Sequence, residues 1–107
     1  MGIHVMAVYR PQDGKQAALE AEVAAHVPTL RRLGLASNYP SAVLRAADGT
    51  IIEHFEWNDQ TAIDAAHSHP EVLEMWGRFG ECCDYGTLAE LPNASSMFPE
   101  FEFLASY

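Results

Sequence analysis

The stretch from Thr50 to His69 contains the residues with the clearest potential for chemistry. Its sequence is TIIEHFEWNDQTAIDAAHSH, in which a half-buried strand ends at Trp57 and the following helix carries His67. An imidazole titrates near neutral pH and is suited to proton transfer. An indole at a strand end can wall a pocket and donate its N–H to a substrate oxygen. We therefore expect His67 and Trp57 to be catalytic.

Both residues also have a structural interpretation. A tryptophan in this place is equally typical of a hydrophobic core, and a lone histidine near a helix end is more often a hydrogen-bonded structural residue. An aromatic lining for a pocket between a sheet and its helices can come from four further residues, Tyr9, Trp76, Phe79 and Tyr85. We expect Tyr9, Trp76 and Phe79 to bind the substrate, with core packing as the alternative.

Motifs for metals and cofactors do not occur in the sequence. His4 and His54 lie on strands that we expect to pair, but a metal site there needs a third ligand. His67 and His69 lack the i, i+4 spacing that suits ligands on a helix, and there is no CxxC motif. Glycine-rich phosphate loops and Ser-His-acid motifs are also missing. We expect neither a metal nor a cofactor.

The composition indicates a single domain over residues 1–107. Hydrophobic residues make up 49% and charged residues 20% of the chain, as in ordinary globular proteins. The formal net charge is -9, from 15 acidic and 6 basic residues. Such a charge repels phosphate backbones and anionic lipid surfaces. We therefore expect no nucleic acid and no membrane as partner.

Two features bear on the cellular compartment. The N-terminal sequence MGIHVMAVYR lacks a basic region followed by a long apolar segment, and no run approaches the roughly 18 residues that span a bilayer. Cys82 and Cys83 are sequence neighbours, and a disulfide between them would need a strained ring. We expect a cytoplasmic protein with reduced thiols that pack in a helix, with redox sensing as the alternative role.

The first part of the chain has the pattern of a strand followed by a helix. Residues 2–10 alternate between two faces, which predicts the first strand. From Lys15 the apolar residues recur at helical spacing until Gly34, which can take the left-handed cap. Pro28 interrupts this helix, and we expect it to cause a kink rather than a break.

The remaining elements follow from turn and capping signals. Asp48-Gly49 predicts a hairpin, Asn58 or Asp59 can cap a helix, and Pro70 suits the first turn of another helix. The predicted elements are strands at 42–47 and 50–57, a helix ending near His67, a helix from Glu71 to about Asp84, and a strand from Met97 to Leu104.

The order β-α-β-β-α-β is that of a ferredoxin-like α+β fold, with a four-stranded antiparallel sheet and helices on one face. The other face of the sheet would be open in one chain. Met6, Val8 and Ile52 lie on that face, so a second copy packed sheet to sheet would cover it. We therefore predict a homodimer.

The sequence resembles the dimeric α+β barrel superfamily, in particular its antibiotic biosynthesis monooxygenase-like domains. The similarity in element order covers the whole chain. Locally, Phe55-Glu56-Trp57-Asn58-Asp59 followed by Ala65-Ala66-His67 and Pro70 is similar to the family's strand-end aromatic residue, acidic helix start and Ala-His run before a proline. The family includes cofactor-free oxygenases, haem-degrading enzymes, isomerases and domains of unknown role, so the fold alone does not select an activity.

The resemblance implies a cofactor-independent monooxygenase that acts on a small apolar or aromatic molecule, either phenolic or enolisable. His67 would assist deprotonation, while Trp57 and Tyr9 orient the substrate. We do not expect haem, because Trp76 stands about where the haem-degrading members have a histidine. The alternatives are a non-catalytic homodimer with a ligand-binding or structural role, and an isomerase that uses the same histidine without oxygen.

Overall fold

The structure of the chain is a computed structural model that describes residues 2–107. Its strands are β1 (Ile3–Pro11), β2 (Ala42–Arg45), β3 (Ile51–Trp57), β4 (Cys83–Gly86) and β5 (Glu102–Ala105). Its helices are α1 (Gln16–Arg32), α2 (Gln60–Ala66) and α3 (Pro70–Cys82), and a single 3-10 turn spans Leu88–Glu90. Within residues 2–107, the five strands form one antiparallel sheet in the order β4-β1-β3-β2-β5.

The hairpin between β2 and β3 forms at the predicted turn. Gly49 has a φ of 92°, which glycine adopts without a steric penalty. The Asp48 side chain accepts a hydrogen bond from the backbone N–H of Thr50 at 3.0 Å. In the resulting register, Glu53 of β3 lies between Ala7 of β1 and Val43 of β2. The turn therefore places Glu53 at the centre of the sheet.

The helices cover one face of the sheet, which we call the inner face. The apolar stripe of α1 is buried against it, and Val72, Met75 and Phe79 of α3 join the same core. α1 is continuous through Pro28, and Gly34 follows it with a φ of 76°. None of the helices in residues 2–107 is long and apolar enough to cross a membrane.

The predicted four-stranded sheet is wrong in its strand count and in the position of its last strand. Cys83 and Asp84, expected to end the last helix, instead begin β4, which pairs with β1. The sequence CDYG has no β-branched residue, and Cys83 continues the helical spacing of α3, so the segment has little strand signal. The strand expected over Met97–Leu104 is confined to Glu102–Ala105 and pairs with β2 at the opposite edge. The order β4-β1-β3-β2 is compatible with a ferredoxin-like fold, and β5 is an addition to it.

The opposite, outer face of the sheet is partly covered by the chain itself. Val8 and Ile52 are buried there against Leu91, and Phe101 packs beside them. The segment between β4 and β5 thus covers part of the surface that we expected a second copy to cover. Met6 and Phe103 stay 48% and 61% exposed, so apolar surface remains open on this chain.

His67 is positioned by the tight turn between α2 and α3. The Asp59 side chain caps α2 by accepting the backbone N–H of Ala62 at 2.8 Å, and His67 is the C-cap of this helix. The His69 side chain then caps α3, with Pro70 in its first turn. Of the two predicted cap residues, Asn58 and Asp59, the structure selects Asp59, and the predicted place of Pro70 in the first turn of a helix is confirmed.

Replacing Asp59 by alanine should weaken the helix that positions His67. Loss of an N-cap side chain costs about 1 kcal/mol, so we expect Asp59→Ala to lower the free energy of unfolding in urea by that amount. Asp64→Ala removes the same charge from the exposed side of α2, where its partner is Gln60, and should cost less than half as much. Equal losses in the two variants would contradict the capping role.

Candidate functional site

A cavity of about 680 Å³ lies against β1 and is walled by all the helices and by strands β3 and β4. This volume is within the range of small-molecule binding sites. The walls are mainly apolar and aromatic, and two histidines are among them. The side chains that matter for the chemistry are Tyr9, His26, Phe55, Trp57, His67, Trp76 and Phe79.

The structure brings together the site residues that the sequence predicted. The lining includes His67 and Trp57, predicted as catalytic, and Tyr9, Trp76 and Phe79, predicted to bind the substrate. Trp57, Tyr9 and Phe79 are buried in the core, whereas His67 is exposed and Trp76 is half-buried. The last two therefore lie at the mouth of the cavity. The location of the five residues is established, and their roles stay predictions.

The hydrogen bonding of His67 determines which ring nitrogen can take up a proton. Nδ1 lies 2.8 Å from the carbonyl oxygen of Ile63, one turn earlier in α2. A carbonyl can only accept, so Nδ1 carries the hydrogen and donates it. The lone pair is then on Nε2, and the ring packs edge-on against Trp76 with centroids 5.2 Å apart. His67 can act as a base through Nε2.

Four polar side chains form a chain of hydrogen bonds behind Trp76, which we call the buried network (Tyr9, His26, Glu53 and Trp76). The Tyr9 hydroxyl donates to Glu53 Oε1 at 2.7 Å, and His26 Nδ1 is 2.8 Å from the same oxygen. His26 Nε2 is 3.2 Å from the indole nitrogen of Trp76. Glu53 is fully buried and His26 is 3% exposed. The network thus joins the cavity wall to the centre of the sheet.

The indole group sets the tautomer of His26. An indole nitrogen can only donate, so His26 Nε2 holds a lone pair and Nδ1 carries the hydrogen that is donated to Glu53. A carboxylate that receives Nδ1–H in this way orients the imidazole and stabilises the imidazolium formed when Nε2 gains a proton. The arrangement is that of a general base with its orienting acid.

Tyr9 is held in its protonated form. Burial raises the pKa of Tyr9 well above its ordinary value, and the negative charge of Glu53 and the hydrogen bond to it raise the pKa further. The phenol therefore acts as a hydrogen-bond donor to the carboxylate. We expected this hydroxyl to orient a substrate, but in the structure it is committed to Glu53, and only the ring contributes to the cavity wall.

Sequence reasoning missed His26 and Glu53, although the pattern contained signals for both. Glu53 alternates with Ile51 and Phe55 on the apolar face of β3, and a carboxylate at such a position is rarely buried without a partner. His26 lies on the apolar stripe of α1, three residues after Val23. Polar residues at positions that the periodicity assigns to the core are the feature that would have identified the network.

The other candidate groups are a pair of histidines outside the cavity and the two neighbouring cysteines. His4 Nδ1 and His54 Nε2 are 2.9 Å apart on the outer face, as their strand pairing predicted. No group of three or more potential metal ligands occurs within residues 2–107.

Cys82 ends α3, but Cys83 begins β4 rather than continuing the helix as expected. Burial raises the pKa of the Cys83 thiol to about 11, which disfavours the reactive thiolate.

Comparisons of the chain with protein-family models, characterised proteins and solved structures gave no match. The resemblance to the dimeric α+β barrel superfamily therefore remains an expectation based on the sequence. The cavity and its residues are the features of this chain that bear on its function.

Replacing Tyr9 by phenylalanine should reveal its hydrogen bond to Glu53. Removing a hydrogen bond to a buried charged group costs about 2 kcal/mol, so Tyr9→Phe should lower the free energy of unfolding at pH 7 by that amount. Because the pKa of Tyr9 is raised in the folded state, its contribution is complete below about pH 10 and is lost as the pH rises further. Tyr9→Phe should therefore show a shallower alkaline loss of stability in urea titrations.

Tyr85→Phe is the matched control for this measurement. Tyr85 is 57% exposed, and its pKa is also raised, by partial burial and by Cys83. Its hydroxyl is not bound to Glu53, whose phenolic partner is Tyr9. We expect Tyr85→Phe to change stability at pH 7 by less than about 0.5 kcal/mol, as is usual for exposed positions. Similar losses in both variants would show that the Tyr9 hydroxyl is not a specific partner.

Proposed function

We propose that the protein is a small cofactor-independent enzyme that deprotonates a phenolic or enolisable substrate. The deprotonated substrate would then react with oxygen, as in a monooxygenase. The main support is the cavity of about 680 Å³, whose apolar and aromatic walls also contain an imidazole with its lone pair on Nε2. An apolar pocket with a few polar groups is the usual form of a small-molecule site. A base at its mouth adds the means for proton transfer.

The residues at the site would divide the work between binding and proton transfer. His67 would assist deprotonation through Nε2, since Nδ1 is fixed by the carbonyl of Ile63. Trp57 would donate its indole N–H to a substrate oxygen, and the rings of Trp76 and Phe79 would stack on a planar substrate. The apolar walls would keep water away from the part of the substrate that lies deepest in the cavity.

Oxidation of such a substrate needs molecular oxygen but no bound cofactor. Deprotonation leaves a carbanion-like enolate or phenolate, which passes electrons to oxygen and forms a carbon–oxygen bond. The resulting hydroperoxide loses water and leaves a carbonyl group, so that R₂CH₂ and O₂ give R₂C=O and H₂O. The chain then needs to supply only binding, proton transfer and exclusion of water.

A second candidate is a non-catalytic, ligand-binding or structural homodimer. It is favoured by the Tyr9 hydroxyl, which is committed to Glu53 instead of being free to orient a substrate. An isomerase is the catalytic alternative, in which the proton removed by the histidine returns to another carbon and no oxygen is consumed. Oxygen uptake distinguishes the oxygenase from the isomerase.

We also propose that the chain forms the homodimer expected of a dimeric α+β barrel. Met6 is exposed on the outer face, and Phe103 lies opposite Leu44 on the same face at the β2–β5 edge. The outer-face cluster around Ile52 extends to Leu44, which makes the exposed residues continuous with an apolar patch. Exposed apolar patches of this kind are typical of protein interfaces.

The enzymatic proposal predicts that His67 is needed for turnover. We expect oxygen uptake with at least one member of a panel of phenols, quinols and hydroxyketones. His67→Ala should lower kcat by about 100- to 10,000-fold without loss of the fold. His54→Ala, on the outer face, is the matched control and should leave kcat unchanged. Substrate conversion without oxygen uptake would indicate the isomerase, and inactivity of the native protein would favour the non-catalytic homodimer.

The dimer proposal predicts a solution mass twice that of one chain at micromolar concentration, measured by light scattering. Met6→Asp places a charge in the proposed interface and should shift the protein to monomers. Leu73→Asp is the control, because Leu73 is 47% exposed on α3, away from the outer face. A native protein with the mass of a single chain would exclude the dimer.

A further inference from the structure

The buried network has features that packing alone does not require. Glu53 is 0% exposed, and within residues 2–107 its Oε2 has no hydrogen-bond partner. A single neutral imidazole and one phenol are its polar contacts in the described structure, and both bind the other oxygen. A buried carboxylate is costly, and apolar side chains of similar size usually stabilise a core better. Such groups concentrate at functional sites.

Three members of the network, Tyr9, His26 and Trp76, line the cavity, and the contact between His26 and Trp76 is the one that holds a lone pair and an N–H side by side. Both residues line the cavity, and the hydrogen bond between Nε2 and the indole N–H is long, at 3.2 Å. His26 is otherwise enclosed by Phe55 and Phe79, with ring centroids 5.4 and 5.0 Å away. Trp76 is half-buried. An outward shift of its ring would let a ligand oxygen enter between the two nitrogens.

We propose that this contact is a binding site for the hydroxyl of a planar phenol or enol, with His26 Nε2 as the proton acceptor and Trp76 Nε1–H as the donor to the ligand oxygen. A hydroxyl is suited to the position because it can donate to a lone pair and accept an N–H at once. The inference rests on the proposed function and names the chemical group by which the cavity recognises its substrate. It places the substrate hydroxyl at the inner end of the cavity.

The proton transfer at this site is balanced within the protein and the ligand. The ligand O–H bond breaks, an N–H bond forms at His26 Nε2, and the electron pair stays on the ligand oxygen. The resulting oxyanion lies beside the imidazolium and receives the Trp76 N–H, which are the interactions that stabilise developing negative charge. His67, exposed at the mouth and in edge contact with Trp76, is placed to exchange the proton with solvent.

Glu53 and Tyr9 act through His26 and are positioning residues. Glu53 holds Nδ1–H and supplies the negative charge that stabilises the imidazolium, and Tyr9 holds the carboxylate in place. Among the described residues, these two are the titratable groups that face His26 from the sheet. From α3 it contacts the uncharged rings of Trp76 and Phe79. The Arg78 guanidinium of α3 is paired with Glu22, one turn before His26 on α1.

The test uses 2-naphthol as probe, because naphthol and naphtholate have different absorption and emission spectra. The probe is titrated into the native protein over a range of pH, which gives its affinity and the pH at which it ionises when bound. We expect the bound probe to ionise about one pH unit or more below the free probe, since a neighbouring imidazolium favours the anion.

Three variants assign this shift to the network. Glu53→Gln keeps the side-chain shape and removes the charge, so the bound probe should lose the shift. Trp76→Phe keeps an aromatic ring and removes the N–H donor, so the shift should be reduced. His54→Ala lies outside the cavity and should behave as the native protein. Circular dichroism checks the fold, and the half-buried Trp76→Phe tests the proposal even where the fully buried Glu53→Gln does not fold.

The outcomes separate this proposal from the proposed function. Absence of binding, binding without a shift, or a shift that survives both Glu53→Gln and Trp76→Phe overturns the hydroxyl site. Substrate turnover that depends on His67 but survives in Glu53→Gln retains the enzyme and excludes His26 as its base. Formation of bound naphtholate without turnover of any substrate supports the hydroxyl site and contradicts the enzymatic proposal.

Discussion

The burial of the Glu53 carboxylate is the constraint on which the rest of the structure depends. A charge in the middle of a sheet has to be matched by donors that come from other elements. Here the donors are Tyr9 on β1 and His26 on α1, so the strand pairing and the position of the helix are tied to one oxygen atom. A shift of either element would remove one of the two donors to the carboxylate.

The same constraint shapes the cavity. His26 and Tyr9 are two of the few polar residues in a mainly apolar wall, and each is hydrogen-bonded to Glu53. Trp76 is the last member of the network on the side of the cavity, and its hydrogen bond to His26 joins α3 to α1. The polar groups available to a ligand are therefore few and fixed in direction, which is what selective binding of a small molecule requires.

The parts of the fold that the sequence predicted are those with a local signal. The Asp48-Gly49 turn, the Asp59 cap and the Gly34 terminus each depend on a few neighbouring residues, and each is present. Two features depend instead on pairing between segments that are distant in sequence: the strand at Cys83–Gly86 and the edge position of β5. Such pairing has no signal in the local sequence of either strand. The aromatic lining of the cavity was predictable because its residues lie on the inner faces of regular elements. The network was not recognised because His26 and Glu53 are distant in sequence and meet only through the tertiary structure.

The pairing of β1 with β4 has a consequence for the order in which the molecule is assembled. The β2–β3 hairpin joins neighbouring segments and closes a short loop, whereas Tyr9 meets Tyr85 only after most of the chain has been brought together. Loop-closure entropy makes such distant contacts slower to form than local ones. Tyr85 and Gly86 of β4 line the cavity, so its wall is completed by one of the contacts of longest range in the sheet. Nascent chains that have not yet reached β4 therefore contain the residues of the central hairpin but lack Tyr85 and Gly86, which complete the wall of the pocket.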